Sequence, residues 1–332
     1  MHQIALYYKY ARIEDPEALK NAQKALLTRL NAKGRVIVAH EGINGTFEAK
    51  PEAVAEYIEI MKNLDLPVSG GSENETFKPF ADIHWKISDG TEAGDAFPKL
   101  SVKVRKEIVS LHLIDGSSTP EEIATADIDP NQITGVHLKP EDLRKWYEEG
   151  KEFYIVDMRN DYELKSGKFE GTIFPGLKNF RDLRKNVNEI KNLKDKTVLT
   201  VCTGGVRCEK ASGYLKREGF ENVYQLDGGI VSYMAQYPGQ DFKGSLYVFD
   251  KRHTMHFEDP ANHEVIGRCE KCEVSTEKYV DCANLSCHKH FICCENCLDE
   301  NGSAYCNEGC KIEWEAYEQS RNTIKETDLV QS

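Results

Sequence analysis

Two sets of residues in this 332-residue chain could do chemistry: a cysteine–arginine loop near its middle and a cluster of cysteines towards its end. The loop reads Thr200-Val201-Cys202-Thr203-Gly204-Gly205-Val206-Arg207-Cys208-Glu209. Residues 197–202 form a strand-like apolar run that delivers the cysteine. A glycine turn follows, and then a helix is expected over 208–218, with Gly219 just past its end. Such a turn aims successive backbone N–H groups into one concavity. The helix N-terminus adds partial positive charge, and Arg207 adds a full charge on a planar fork. All three favour thiolate over thiol, so the pKa of Cys202 should be depressed. An accessible thiol of low pKa is what nucleophilic sulfur chemistry needs. Thr203, Gly204, Gly205 and Val206 then form the wall of an anion cradle closed by Arg207. Cys208 reads in two ways: as a resolving thiol able to close a disulfide with an oxidised Cys202, or as a small packed residue of the helix.

Nine of the eleven cysteines fall between Cys269 and Cys310. Their spacing is Cys269-x2-Cys272, Cys282-x4-Cys287, Cys294-x2-Cys297 and Cys306-x3-Cys310. Four such pairs can make two tetrahedral zinc sites of four thiolates each. In a crossed arrangement Cys269, Cys272, Cys294 and Cys297 share one zinc, and Cys282, Cys287, Cys306 and Cys310 the other. In a sequential arrangement the first two pairs share one zinc and the last two the other. The crossed form is favoured slightly, because the short segments then share one core. Cys293 is left over, and His288 or His290 could replace a thiolate. Four thiolates leave no open coordination position, so the zinc would be structural. In a reducing compartment this crowding favours metal ligation over disulfides.

The elements that must position these residues follow from local pattern. Residues 2–8 read as a strand and 16–32 as an amphipathic helix, with Asp15 as N-cap, Pro16 at its first position and Gly34 beyond its end. Residues 35–40 and 42–49 read as a hairpin, 51–64 as a second helix, and 83–87 and 100–104 as further strands. Strand-helix-strand-strand-helix-strand is the ferredoxin-like order, and the extra strand signal leaves the register open. Residues 115–135 are rich in Ser, Thr, Pro, Asp and Gly and read as linker. Beyond them, strands at 153–157, 197–202 and 223–226 alternate with helices, which implies a parallel sheet. Active residues then belong at the carboxyl ends of its strands, where Asp157 and Cys202 fall.

Composition narrows the function classes. Hydrophobic residues make up 40% of the chain and charged residues 30%, which suits packed domains in water. No apolar run is long enough for a transmembrane helix. The apolar start lacks the pattern of a signal peptide, so a cytoplasmic address without membrane partners is expected. A net charge of −12 argues against binding nucleic acid through the whole surface. Two local basic clusters survive: Lys103, Arg105 and Lys106, and Arg181, Arg184 and Lys185.

The Cys202 loop, the upstream Asp157-Met158-Arg159-Asn160-Asp161-Tyr162-Glu163 and the downstream Asp227-Gly228-Gly229 together resemble a rhodanese domain. The resemblance implies that Asp157, Arg159 and Glu163 buttress the loop and that Cys202 can carry a persulfide. Cysteine phosphatases separate cysteine and arginine by five residues. The four here make a tighter cradle, which disfavours phosphate. With Glu41-Gly42-Ile43-Asn44-Gly45-Thr46 near the N-terminus and the cysteine block at the end, the chain resembles the rhodanese-containing tRNA uridine hydroxylases of bacteria over roughly residues 1–312. The expected architecture is therefore a multidomain α/β protein. A ferredoxin-like (acylphosphatase-like) α+β domain spans 1–112, a linker 113–135 and an α/β rhodanese domain with a parallel sheet 136–245. A small cysteine-rich zinc-binding domain spans 246–312 and a polar, frayed tail 313–332. The resemblance implies oxygen-dependent conversion of uridine 34 in the tRNA anticodon to 5-hydroxyuridine, with molecular oxygen as co-substrate and Cys202 essential. A sulfurtransferase passing a persulfide on Cys202 is the alternative. No flavin, nicotinamide or haem motif and no His/carboxylate triad for iron stands out, and the sulfur or electron donor is left open.

Overall fold

The computed structural model describes residues 1–67, 76–111 and 128–330, with backbone alone from residue 320. The N-terminal part runs β1 (Gln3–Tyr10), α1 (Pro16–Arg29), β2 (Lys33–Ala39), β3 (Gly42–Ala49), α2 (Pro51–Asn63), β4 (Leu66–Pro67), β5 (Thr76–Phe77), β6 (Lys86–Asp89) and β7 (Leu100–Val104). Its main sheet has the order β6-β1-β3-β2-β7. The first four strands are antiparallel neighbours in ferredoxin-like order, and the extra strand, β7, lies parallel to β2 at the edge. Asp15 caps α1 by accepting from the Ala18 N–H at 2.9 Å. The helix stops at Arg29, short of its expected end. Asn31 takes the left-handed conformation (φ 52°), and Gly34 already lies in β2, where a Cβ would stand 2.3 Å from the Thr46 carbonyl oxygen. The signal at 83–87 resolves differently too: Ile83 is apolar because it is packed into the helix-side core, and the strand begins at Lys86.

Side chains alternate across β1 with period two. Ala5 and Tyr7 enter the core under the helices with Phe47 and Tyr57. Leu6, Tyr8 and Tyr10 point the other way, against the second domain: Leu6 joins the cluster of Leu199, Val201 and Ile230, and Tyr8 and Tyr10 pack with Ile108 and Val206.

The second domain comprises β8 (Val136–Leu138), α3 (Pro140–Glu148), β9 (Tyr154–Asp157), α4 (Asp161–Leu164), β10 (Gly167–Phe169), β11 (Thr197–Val201), α5 (Val206–Arg217), β12 (Asn222–Leu226) and α6 (Gly229–Gln236). Strands β8-β12-β11-β9 form an all-parallel sheet. Helices α3 and α6 cover one face, and α5 with the 180–193 segment covers the other, so β11 is buried on both sides, with Val198, Leu199 and Val201 in the two cores. Most of the expected linker, 113–127, lies outside the described residues. Ile128 is buried, and the Gly135 N–H donates to Ser212 Oγ at 2.7 Å, so 128–135 pack onto α5.

The cysteine-rich part has short pieces only, of which Tyr279–Asp281 and His290–Ile292 pair antiparallel. The residues expected to fray instead continue as a helix, α7 (Glu308–Val330). Asn307 caps it by accepting from the Cys310 N–H at 2.9 Å, and no proline interrupts it. No helix among the described residues is long and apolar enough to cross a membrane.

Candidate active site

Cys202 follows β11 directly, at the carboxyl edge of the parallel sheet, and the Gly205 N–H donates to its Sγ at 3.3 Å. Helix α5 starts at Val206 rather than at Cys208, because Gly205 turns the chain with φ 99°, a conformation that costs glycine nothing. The N–H groups of Arg207 and Cys208 consequently lie in the first helical turn and also reach the sulfur. Helix α6 closes the cradle from behind: Ile230 and Val231 donate to the carbonyls of Cys202 and Thr203 at 2.9 and 3.0 Å. Gly229 makes this approach possible, since a Cβ there would stand 2.6 Å from the Gly205 nitrogen.

Burial opposes ionisation of Cys202. It is outweighed by a hydrogen bond from the Cys208 thiol, the charge of Arg207 and the N–H groups of Cys208 and Arg207, and the pKa of Cys202 falls to about 6. Burial and the adjacent Cys202 sulfur push Cys208 well up, so it stays a thiol and donates. Arg207 spends its fork on the loop's frame as well as its charge on Cys202. It grips Glu163 with both arms, at 2.6 and 2.9 Å, and donates to Thr203 Oγ1 at 3.2 Å. Burial works against the Glu163 carboxylate, but Arg207 and Arg159 keep its pKa below the usual range. Asp157 and Arg159 form a second, fully buried pair, 2.7 Å at its closest. Arg159 also donates to the carbonyls of Glu163 and Gly167 at 3.2 and 2.8 Å. The acidic–basic stretch thus ties the strand end, α4 and β10 into one frame behind the loop.

Cys202 has no exposed surface of its own, contrary to the accessible thiol expected. The reason lies in the N-terminal domain. Leu6 and Tyr8 rest on Gly204 and Gly205, where added Cβ atoms would come within 2.7 and 2.9 Å of them. Cys202 instead borders, as one lining residue among others, a cavity of about 600 Å³ between the two domains. Its walls are apolar at Ile4, Leu6, Ile37, Val109, Val231 and Met255, with aromatic faces at Tyr8, Phe180 and Phe249. Among the described residues, six basic ones line it (Arg35, Lys86, Arg105, Arg181, Arg207 and Arg252) against two acidic ones, Glu107 and Asp250. Arg207, Arg252 and both acids are committed to ion pairs, so the excess is positive inside an acidic protein. Each basic cluster noted in the sequence contributes one arginine, Arg105 or Arg181.

The Glu41–Thr46 segment divides its work. Glu41 pairs with the buried Lys210 of α5 at 2.7 Å and accepts from the Ile108 N–H at 2.7 Å, locking the domains together. Asn44, Gly45 and Thr46 line the cavity.

The eight paired cysteines come together in the crossed arrangement: Cys269, Cys272, Cys294 and Cys297 in one group, Cys282, Cys287, Cys306 and Cys310 in the other, able to hold a metal ion each. Cys293 is buried outside both groups. His288 and His290 replace no thiolate, and His290 stacks on Tyr279 instead. A third group, His256, Glu258 and His263, went unnoticed in the sequence because nothing in its spacing sets it apart. The nitrogens of His263 already meet Glu258 and Glu277, at 2.6 and 3.0 Å. The rings of His256 and His263 stack 16° from parallel, so no one ion can lie in the plane of both.

Residues 2–108 match the UPF0176 acylphosphatase-like domain, 139–236 the rhodanese-like domain and 243–311 the rhodanese C-terminal domain. The tRNA uridine(34) hydroxylase of Corynebacterium kroppenstedtii is 40% identical over 314 residues, covering 93% of this chain and 97% of that one. The protein of the same description from an Arthrobacter species is 38% identical over 319 residues, 93% and 99% of the two chains. That of Cytophaga hutchinsonii is 36% identical over 310 residues, 93% and 90%.

Proposed function

Because this chain belongs to the tRNA uridine(34) hydroxylase family, we propose that it converts uridine 34 of the tRNA anticodon to 5-hydroxyuridine, in the cytoplasm and with dioxygen as the oxygen source. The observation that carries the reading is the cavity: it joins a low-pKa cysteine to arginines from two domains that form no ion pair among the described residues, in a chain of net charge −12. Anticodon bases are unstacked easily, and a base swung out of its loop can lie against aromatic faces while cations hold its phosphates. Phe249 and Tyr8 offer such faces, and Arg35, Arg105 and Arg181 such cations.

Cys202 is the catalytic nucleophile in this reading. Its thiolate adds to C6 of uracil, which makes C5 electron-rich where oxygen must arrive, and elimination of the sulfur restores the ring. Putting one atom of dioxygen at C5 and the other into water takes two electrons from a donor. The charge of Arg207 and the N–H groups of Gly205, Arg207 and Cys208 hold the thiolate; Thr203, Gly204 and Val206 complete the cradle wall, Glu163, Asp157 and Arg159 hold the loop, and the Cys208 thiol steadies the anion by donation.

We assign structural zinc to both thiolate groups. Sulfur separations of 3.5 Å for Cys272–Cys294, 3.7 Å for Cys287–Cys306 and 3.5 Å for Cys306–Cys310 suit four thiolates about 2.3 Å from one ion. Such zinc would hold the short segments together and take no part in the reaction.

The test is nucleoside analysis of tRNA from cells with and without this protein. Loss of 5-hydroxyuridine is the expected result. Loss of a thiolated nucleoside, with 5-hydroxyuridine intact, would establish sulfur transfer instead.

A further inference from the structure

Lys86 carries a buried ammonium that no ion pair holds among the described residues. It stands opposite Leu6 in the β6–β1 pairing, only 8% exposed. Its Nζ lies 4.7 Å from the centre of the Tyr8 ring, and among the described residues it makes no hydrogen bond or ion pair. Withdrawing an ammonium from water without a partner is costly, so the position calls for an anion or a strong acceptor. Lys86 lines the same cavity as Cys202. Burial draws its pKa down to about 8, with Asp227, Cys202 and Glu209 pulling the other way. It is charged at neutral pH yet able to part with a proton.

We propose that Lys86 is a catalytic residue supplied by the N-terminal domain, whose ammonium binds O4 of the inserted uracil and protonates it as the Cys202 sulfur adds to C6. This rests on the reading above, that uridine in tRNA is the substrate. The S–C6 bond forms, and the C5=C6 pair moves to C5–C4. The C4=O4 π pair takes the proton from Nζ, leaving a neutral amine and an enol. No oxidant enters this step. If water then protonates C5 and the O4 proton returns to Lys86, a dihydro adduct results. Its reversal expels either C5 hydrogen, so C5–H exchanges with solvent.

The experiment uses the full-length protein and a tRNA transcript tritiated at C5 of its uridines, without dioxygen, and follows tritium released to water. The wild type is expected to release it and Cys202→Ser to release none. Lys86→Met should be slowed about 100-fold, as for loss of a general acid, and Lys86→Arg should recover part of the rate. Lys86→Gln, which keeps a donor but no labile charge, should still bind tRNA and still fail to exchange. Melting curves matching the wild type make these losses chemical. Equal release by wild type and Lys86→Met overturns the assignment of Lys86 and leaves the hydroxylase reading standing. No release by a wild type that still makes 5-hydroxyuridine in cells overturns both the adduct and Lys86. Absence of 5-hydroxyuridine in those cells overturns the hydroxylase reading itself.

Discussion

At the scale of single residues, the site depends on how two buried charges are spent. Arg207 faces both Cys202 and Glu163, and the carboxylate holds it at 2.6 Å. Glu163→Gln would leave the guanidinium uncompensated, at a cost of about 3 to 5 kcal/mol for a broken buried pair, read as a lower denaturation midpoint. The same change unmasks Arg207 towards the thiolate. The pH midpoint of Cys202 alkylation by a small reagent, expected near 6 in the wild type, should therefore move lower in Glu163→Gln. The folded pKa of Glu163 lies below its unfolded value, so its contribution to stability is present above the unfolded carboxylate pKa and is lost as pH falls through the folded one. In Glu163→Gln that loss is absent, which a stability profile below pH 5 will show. The sequence made Cys202, Arg207 and the glycines readable, because a strand, a turn and a helix start lie next to one another in the chain. It did not reveal that Arg207 is already engaged, since Glu163 reaches it from another element.

At the scale of elements, what matters is how closely backbones approach. Helix α6 can dock on the cradle only because Gly229 lacks a Cβ and takes φ 73°. Gly229→Ala should cost about 1 to 2 kcal/mol in backbone conformation alone, and its contact 2.6 Å from the Gly205 nitrogen should displace the N–H aimed at Cys202. The expected result is a lower denaturation midpoint together with a higher alkylation midpoint for Cys202. Gly171→Ala is the control: its φ is 71° with nothing within 4 Å of the added Cβ, so it should lose stability and leave Cys202 unchanged. Helices and strands with regular periodicity were legible from the sequence. The place of β7 was not, because its partner β2 is remote in the chain and parallel to it. The start of α5 was misplaced by two residues because its boundary is set by the left-handed turn at Gly205. The tail looked frayed because it is polar, whereas the Asn307 cap and a run rich in Glu, Lys and Gln with no proline extend it as a helix.

At the scale of the whole molecule, an acidic protein concentrates positive charge where two domains meet. Lys210, 1% exposed between Glu41 and Glu107, pins that boundary. The tRNA affinity should fall as salt rises, despite a net charge of −12. Replacing Arg35, Arg105 or Arg181 by Ala should each reduce the slope of log affinity against log salt by about 0.7 to 0.9, measured by filter binding across a salt series. An unchanged slope would remove that arginine from the interface. Both basic clusters were visible in the sequence, but that one arginine of each, Arg105 and Arg181, lines the cavity with Cys202 was not, because it depends on how β1 lies across the Cys202 loop. The alternating Leu6, Tyr8 and Tyr10 marked an apolar second face of that strand without saying what it would meet.

The central claim is that Cys202, in the lining of the cavity between the domains, activates the wobble uridine so that an atom of dioxygen enters at C5. The direct measurement is the mass of the tRNA anticodon fragment from cells grown under ¹⁸O₂, with the wild type or Cys202→Ser as their only source of this activity. The wild type should place one ¹⁸O on nucleotide 34, and Cys202→Ser should leave that nucleotide as uridine. Full labelling by Cys202→Ser, or sulfur in place of oxygen with the wild type, would contradict the account.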